Sequence, residues 1–166
     1  MNRLLALLAV LFALAAPACT NLLVGKKASK NGACFITYSA DSYGMYGRML
    51  HYPAGKHAPG TMRKIVDGDT HKPLGEIPEA PYTYNVVGNI NEYQVAITET
   101  TFGGREELWP KNPVGGIDYV SLMALGLQRA KTAREAIRVM TDLVARYGYA
   151  SEGESFSVAD PNEAWI

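Results

Sequence analysis

The sequence predicts an α+β fold on three observations: short runs of β-branched and aromatic residues bounded by turn residues, two consecutive amphipathic helical stripes, and a return to strand after them. At 166 residues, 48% of them hydrophobic, with 16 glycines and 9 prolines, one globular domain accounts for the chain.

Taken in order, residues 20–24 and 34–38 read as strands. Asn31-Gly32 between them is a type I′ hairpin signal, because both residues tolerate positive φ. Residues 50–83 are rich in Pro, Gly and His without a sustained period and read as a loop region bordering a cleft. Residues 84–88 and 93–98 form a second strand pair, with turn chemistry at 88–91. Tyr119, Leu122, Met123, Gly126, Leu127 and Ala130 recur at helical spacing, as do Ala136, Ile137, Met140, Leu143, Val144 and Tyr147. Thr132-x-x-Glu135 is a capping box and Gly148 a stop, so both stripes are packing faces of helices laid on a sheet. Residues 155–160 are a strand, 161–163 a turn and 164–166 the start of another strand. A chain end inside an apolar strand leaves an exposed edge, so these residues are expected to be the N-terminal part of a longer domain.

Charge and hydropathy are uneven along the chain. Residues 1–18 contain 15 apolar residues, one base (Arg3) and no acid, and the other 148 carry 15 bases against 16 acids. A mature chain this close to neutral lacks the concentrated basic face that nucleic acid requires. Arg105-Glu106-Glu107 is mixed in sign and reads as solvated surface. Asn2-Arg3, the apolar run from Leu4 to Ala16 and the small-x-small triplet Ala16-Pro17-Ala18 make up an export signal. The run falls short of the roughly 20 residues that span a bilayer, so no transmembrane segment is expected after its removal. Export to the periplasm or the medium follows, and cleavage after Ala18 makes Cys19 the first residue.

Cys19 then has three chemical readings. It can pair with Cys34 in a disulfide, which an oxidising compartment permits. It can carry a diacylglyceryl anchor that tethers an envelope binding protein, although Ala16 and Pro17 make a poor lipoprotein box. Or it can be a nucleophile. A thiol of pKa about 8.5 needs a base to attack an amide carbonyl, and a free α-amine of pKa about 7.7–8.0 is partly neutral at pH 7. One residue would then supply nucleophile and base, and the protonated amine would return its proton to the leaving nitrogen. Lipidation consumes the sulfur and the amine together, so anchor and nucleophile exclude one another.

The stretch Cys19-Thr20-Asn21-Leu22-Leu23-Val24-Gly25, with Asn31-Gly32 and Phe35-Ile36-Thr37-Tyr38-Ser39-Ala40-Asp41-Ser42, resembles the opening of the bacterial secreted cysteine dipeptidases. Those enzymes belong with the N-terminal-nucleophile hydrolases and are similar to penicillin V acylases and bile salt hydrolases. The resemblance continues through Asn91 to Thr101 and Ser155 to Asp160. It implies a four-layer αββα sandwich, incomplete here at the C-terminus, with residues 19–166 forming the N-terminal part of one catalytic domain. It also implies an exported dipeptidase that cleaves a dipeptide or small amide through a thioester on Cys19, or an acylase for non-peptide linear amides.

By the same resemblance, Asp41 holds the α-amine, although read alone it is a turn or cap residue beside Ser42. Thr101 is the positional match to a residue that helps bind the oxyanion. Cys34 becomes a buried strand residue without a chemical role, and Arg105 faces either a substrate carboxylate or its neighbours Glu106 and Glu107. Tyr38 departs from the acylase pattern, which has Arg there, so a fixed charge beside the thiol is missing. No cofactor is implied, and His51, His57 and His71 lack metal-site spacing.

Overall fold

The computed structural model describes residues 19–40, 47, 49–108 and 115–166. Residues 1–18, expected to be an export signal, and Asp41 lie outside the described residues. Within them, β1 (Thr20–Val24) and β2 (Phe35–Ser39) form an antiparallel hairpin, and the short strands β3 (His51–Tyr52) and β4 (Gly55–Lys56) follow. Then come β5 (Met62–Val66), β6 (Pro73–Pro78), β7 (Tyr82–Thr83), β8 (Val86–Val87), β9 (Ile90–Asn91) and the long β10 (Ala96–Gly103). A short 3-10 turn precedes the helices α1 (Tyr119–Arg129) and α2 (Ala133–Tyr147), and β11 (Gly153–Ala159) and β12 (Ala164–Trp165) complete the order.

Strands β12, β11, β10, β9, β8 and β3 lie side by side in one sheet, whose longest ladder joins β10 to β11 from Ala96↔Ala159 to Gly103↔Gly153. Alternation along β11 separates its two faces. Ser157 meets Asn21 of the hairpin, while Phe156 and Val158 line a groove against the helices. The hairpin, the sheet and the helices therefore stack as three layers, consistent with the predicted α+β class.

The core lies between sheet and helices, where Val95, Ile97, Leu125, Leu127 and Ile117 are almost wholly buried. A Cβ on Gly126 would stand 3.0 Å from Met140 Cγ and 3.1 Å from Ile97 Cδ1, so this glycine lets α1, α2 and β10 close on one another. The capping box forms, with Thr132 Oγ1 accepting from the Glu135 N–H at 3.2 Å, but Glu135 reaches back to the Lys131 N–H at 2.8 Å rather than to the cap residue. Gly148 ends α2 at φ 85° and donates to Val144 O, as the sequence predicts.

Three sequence expectations are corrected. Asn31-Gly32 does not make a two-residue turn, because only Gly32 has positive φ and the ladder closes at Val24↔Phe35, leaving a ten-residue loop. Cys34 therefore precedes β2 and is half-buried, and it is not disulfide-bonded to Cys19. Residues 50–83 are also more regular than a loop, since β5 and β6 pair over their length and contribute Ile65, Leu74 and Ile77 to the core. The tip of that hairpin is drawn to the start of α1. There the buried Asp118 caps the helix through Val120 N (3.2 Å) and Ser121 N (3.3 Å) and also accepts from Gly68 N at 3.1 Å.

Candidate functional site

Cys19 immediately precedes β1, and Asn21 fixes the strand's position on the sheet. Its side-chain amide donates to Glu99 O at 2.9 Å and reaches Ser157 Oγ at 3.4 Å. Tyr38 pairs with Asn21 in the hairpin register. This clamp brings Cys19 and Tyr38 to β10, where the Cys19 thiol faces Glu99 Oε1 at 3.8 Å and the Tyr38 hydroxyl donates to the same oxygen. Glu99 is only 2% exposed. Its other oxygen, Oε2, lies 3.4 Å from Thr101 Oγ1, and that hydroxyl also bonds Glu154 Oε1 at 2.8 Å. Thr101 and Glu154 sit opposite one another in the β10–β11 ladder, beside a register shift between Thr101 and Gly103. Bulges of this kind re-aim side chains at a strand end.

The helical side contributes Tyr119. The bridge between Ile117 and Tyr149 sets the start of α1 beside the entry to β11, so that Ser151 Oγ accepts from the Tyr119 N–H at 3.0 Å. The Tyr119 hydroxyl donates to Asp69 Oδ1 at 3.1 Å. A cleft of about 370 Å³ opens here, lined by Thr101, Tyr119, Ser151 and the acids Asp67, Asp69, Glu152 and Glu154. The Thr70 N–H, 2.7 Å away, holds the Asp67 carboxyl below its ordinary range and fixes the cleft rim.

Burial and the Glu99 carboxyl push the Tyr38 hydroxyl well above the ordinary tyrosine range, and burial and Asp69 do the same for Tyr119. Both remain protonated donors at any physiological pH. Burial, reinforced by the neighbouring Glu99 carboxyl, pushes Glu154 up to about 8. Near neutrality Glu154 is therefore largely an acid O–H, able to donate. Among the described residues, the arginines Arg63, Arg105, Arg129 and Arg134 pair with other acids, and no salt bridge reaches Glu99 or Glu154.

Of the residues singled out from sequence, the structure places Cys19 and Thr101 around one carboxylate, and Asp41 lies outside the described residues. The Thr101 hydroxyl is engaged with carboxyl oxygens. Arg105 pairs with Glu107 at the surface, one of the two surface neighbours expected for it. Tyr38, noted only as a departure, is a direct neighbour of the thiol's partner. Sequence reasoning missed Glu99 and Glu154. Glu99 carried a usable signal as the lone charge in Val95-Ala96-Ile97-Thr98-Glu99-Thr100-Thr101, whereas nothing near Glu154 marks it. Among the described residues no group of three or more His, Cys, Asp or Glu is arranged to hold a metal ion.

The arrangement is a thiol and a phenol held on one buried carboxylate, which Thr101 links to an acidic cleft. A probable dipeptidase of Latilactobacillus sakei is 32% identical over 165 residues, covering 89% of this chain and 34% of that protein. A dipeptidase of Bifidobacterium longum is 27% identical, and probable dipeptidase A of Streptococcus pyogenes 26%, each over 89% of this chain. The chain spans about a third of the length of these curated relatives. The profile of peptidase family C69 matches residues 18–59 and 46–166. With nearly the whole stretch from Cys19 onward matched, the chain belongs to peptidase family C69.

Proposed function

We propose that this chain carries the nucleophile of an exported dipeptidase whose first mature residue is Cys19, within an N-terminal-nucleophile fold of which the hairpin, sheet and helices are three of four layers. The observation that carries this reading is the position of Cys19, at the head of β1 and beside Glu99, whose carboxyl is linked through Thr101 to the lining of the cleft. The relatives' printed names support peptide-bond hydrolysis.

In this reading the α-amine released by leader removal takes the thiol proton as sulfur attacks the scissile carbonyl. Asp41 orients that amine. The C–N bond breaks as the amine's proton passes to the leaving nitrogen, and water then releases the acyl group from the thioester. Polar donors around the attacked carbonyl stabilise the oxyanion, and Thr101, the candidate named from sequence, serves there once its hydroxyl turns away from the carboxyl oxygens that it bonds at rest. The acidic lining of the cleft suits the ammonium end of a dipeptide rather than an anion.

Two measurements test the reading on the enzyme produced from its full reading frame. Intact-mass analysis is expected to show an unmodified N-terminal Cys19, and Cys19→Ser is expected to lower dipeptide turnover by at least a hundredfold without unfolding the protein. A diacylglyceryl adduct on Cys19, or wild-type turnover in the mutant, overturns it.

A further inference from the structure

Resting on the reading of Cys19 as the nucleophile, we propose that Glu99 and Glu154 form a carboxyl pair holding a single proton between them, and that this pair orients the Cys19 thiol and sets the charge beside its sulfur. Glu99 is nearly fully buried and touches the sulfur's surroundings directly, at 3.8 Å from Sγ. Glu154 acts through Glu99 and is a positioning residue. The Thr101 hydroxyl ties the two carboxyls together, at 2.8 Å from Glu154 Oε1 and 3.4 Å from Glu99 Oε2, and carboxyls brought side by side this way attract one another only when one carries a proton. Oε2 of Glu154 is buried and accepts from no donor among the described residues, while its other oxygen is tied to Thr101. A proton on Glu154 directed at Glu99 satisfies that oxygen, and the preference of Glu154 to keep its proton until about pH 8 agrees with this.

The groups facing the pair come from every element around it. The hairpin brings Cys19 and Tyr38, β10 brings Thr101, α1 brings Tyr119 with Asp69 behind it, and Tyr149 and Glu152 stand before β11. The described side chains here are acids and phenols, and the base beside the sulfur in the proposed reading is the Cys19 α-amine, so the proton on the pair sets how much carboxyl charge stands next to both. With one proton on the pair, a single negative charge accepts from the S–H and the Tyr38 hydroxyl together. That charge opposes early ionisation of the thiol, which keeps its proton for transfer during attack. When the pair's proton is lost, a second charge arrives and thiol ionisation is opposed further.

The test follows iodoacetamide alkylation of Cys19 by mass spectrometry, and kcat/KM on a dipeptide, from pH 6 to 10 in the enzyme produced from its full reading frame. In Glu99→Gln, alkylation at pH 7 is expected to be roughly three to ten times faster than in wild type, because removing a like charge lowers the thiol pKa and each unit is tenfold. In wild type kcat/KM falls above about pH 8, and in Glu154→Gln that fall moves at least one unit higher while alkylation at pH 9 speeds up. A purely structural role would slow alkylation or leave it unchanged. Alkylation and pH profiles that superimpose on wild type in both variants overturn the pair. Because alkylation reads the sulfur's surroundings without turnover, loss of the nucleophile reading by an active Cys19→Ser is recognised separately.

Discussion

The Tyr38 hydroxyl and Glu99 Oε1 meet where hairpin and sheet touch, so the carboxyl oxygen that faces the Cys19 sulfur is also the one a phenol neutralises in part. Removing the phenol leaves the carboxylate more strongly charged beside the thiol. Tyr38→Phe is therefore expected to cost about 1.5–3 kcal/mol of stability, the range for a hydrogen bond to a charged group. It should also slow alkylation of Cys19, opposite in sign to Glu99→Gln. Chemical denaturation and thiol alkylation rates check the two parts, and faster alkylation would contradict the geometry.

Thr101 links both carboxyls, and its hydrogen bond is what holds the Glu154 carboxyl down against burial. Thr101→Val keeps the shape and removes the hydroxyl, so Glu154 is expected to titrate above about 8. Carboxyl carbon NMR reads that shift. Dipeptide kinetics in the same variant test the oxyanion role proposed for Thr101, since losing a donor to an oxyanion lowers kcat by about a hundredfold or more.

The proton on Glu154 also makes stability depend on pH. Its folded value of about 8 lies above the ordinary 4.5, so the folded state binds more protons than the unfolded chain between those values. The contribution is fully present below pH 4.5 and is lost as pH rises toward 8. Glu154→Gln removes this slope, and thermal melts are expected to show the variant gaining on wild type as pH rises from 5 to 8. Parallel curves across that interval would refute the assignment.

A second ionic cluster supports the fold at a distance from the cleft. Glu79, whose side chain is 3% exposed, is held by Arg129 at 2.9 Å and Arg63 at 3.4 Å. Burial alone would raise the Glu79 carboxyl, but the Ala80 N–H and the two guanidinium groups outweigh it and leave it below the usual range. Breaking a buried pair from one side leaves a charge without compensation, so Arg129→Met is expected to lose about 3–5 kcal/mol at neutral pH. This stabilisation exists above the carboxyl's ordinary 4.5 and disappears as pH falls through the folded value. Denaturation midpoints of wild type and variant should accordingly converge in acid.

The helices were legible in the sequence because each carries its own signals: the apolar stripes, Thr132 at the cap and Gly148 at the stop, all local to the segment. The loop after β1 was misread because Asn31-Gly32 is a turn signal only when its neighbours pair at once. Here turns at Gly25–Ala28 and Ser29–Gly32 occupy the connection instead. Strands β5 and β6 were hidden for a different reason. Pro73 and Pro78 bound β6 and look like breakers, yet a two-stranded sheet has open edges where proline removes no needed donor. At the site, Cys19 was legible from its place after the apolar run of residues 1–18, and Glu99 only as a charge inside a strand. Glu154 depends on the β10–β11 register across some fifty residues, which no local pattern encodes.

The rungs of the first hairpin run from Thr20↔Ser39 to Val24↔Phe35, and the side chain of Asn21, not an added strand, fastens that hairpin to the sheet. Scission of the backbone between positions 18 and 19 thus leaves every rung and the Asn21 fastening in place. On the proposed removal of residues 1–18, the described strands need no rearrangement, so the newly liberated terminus would emerge into surroundings already assembled to receive it.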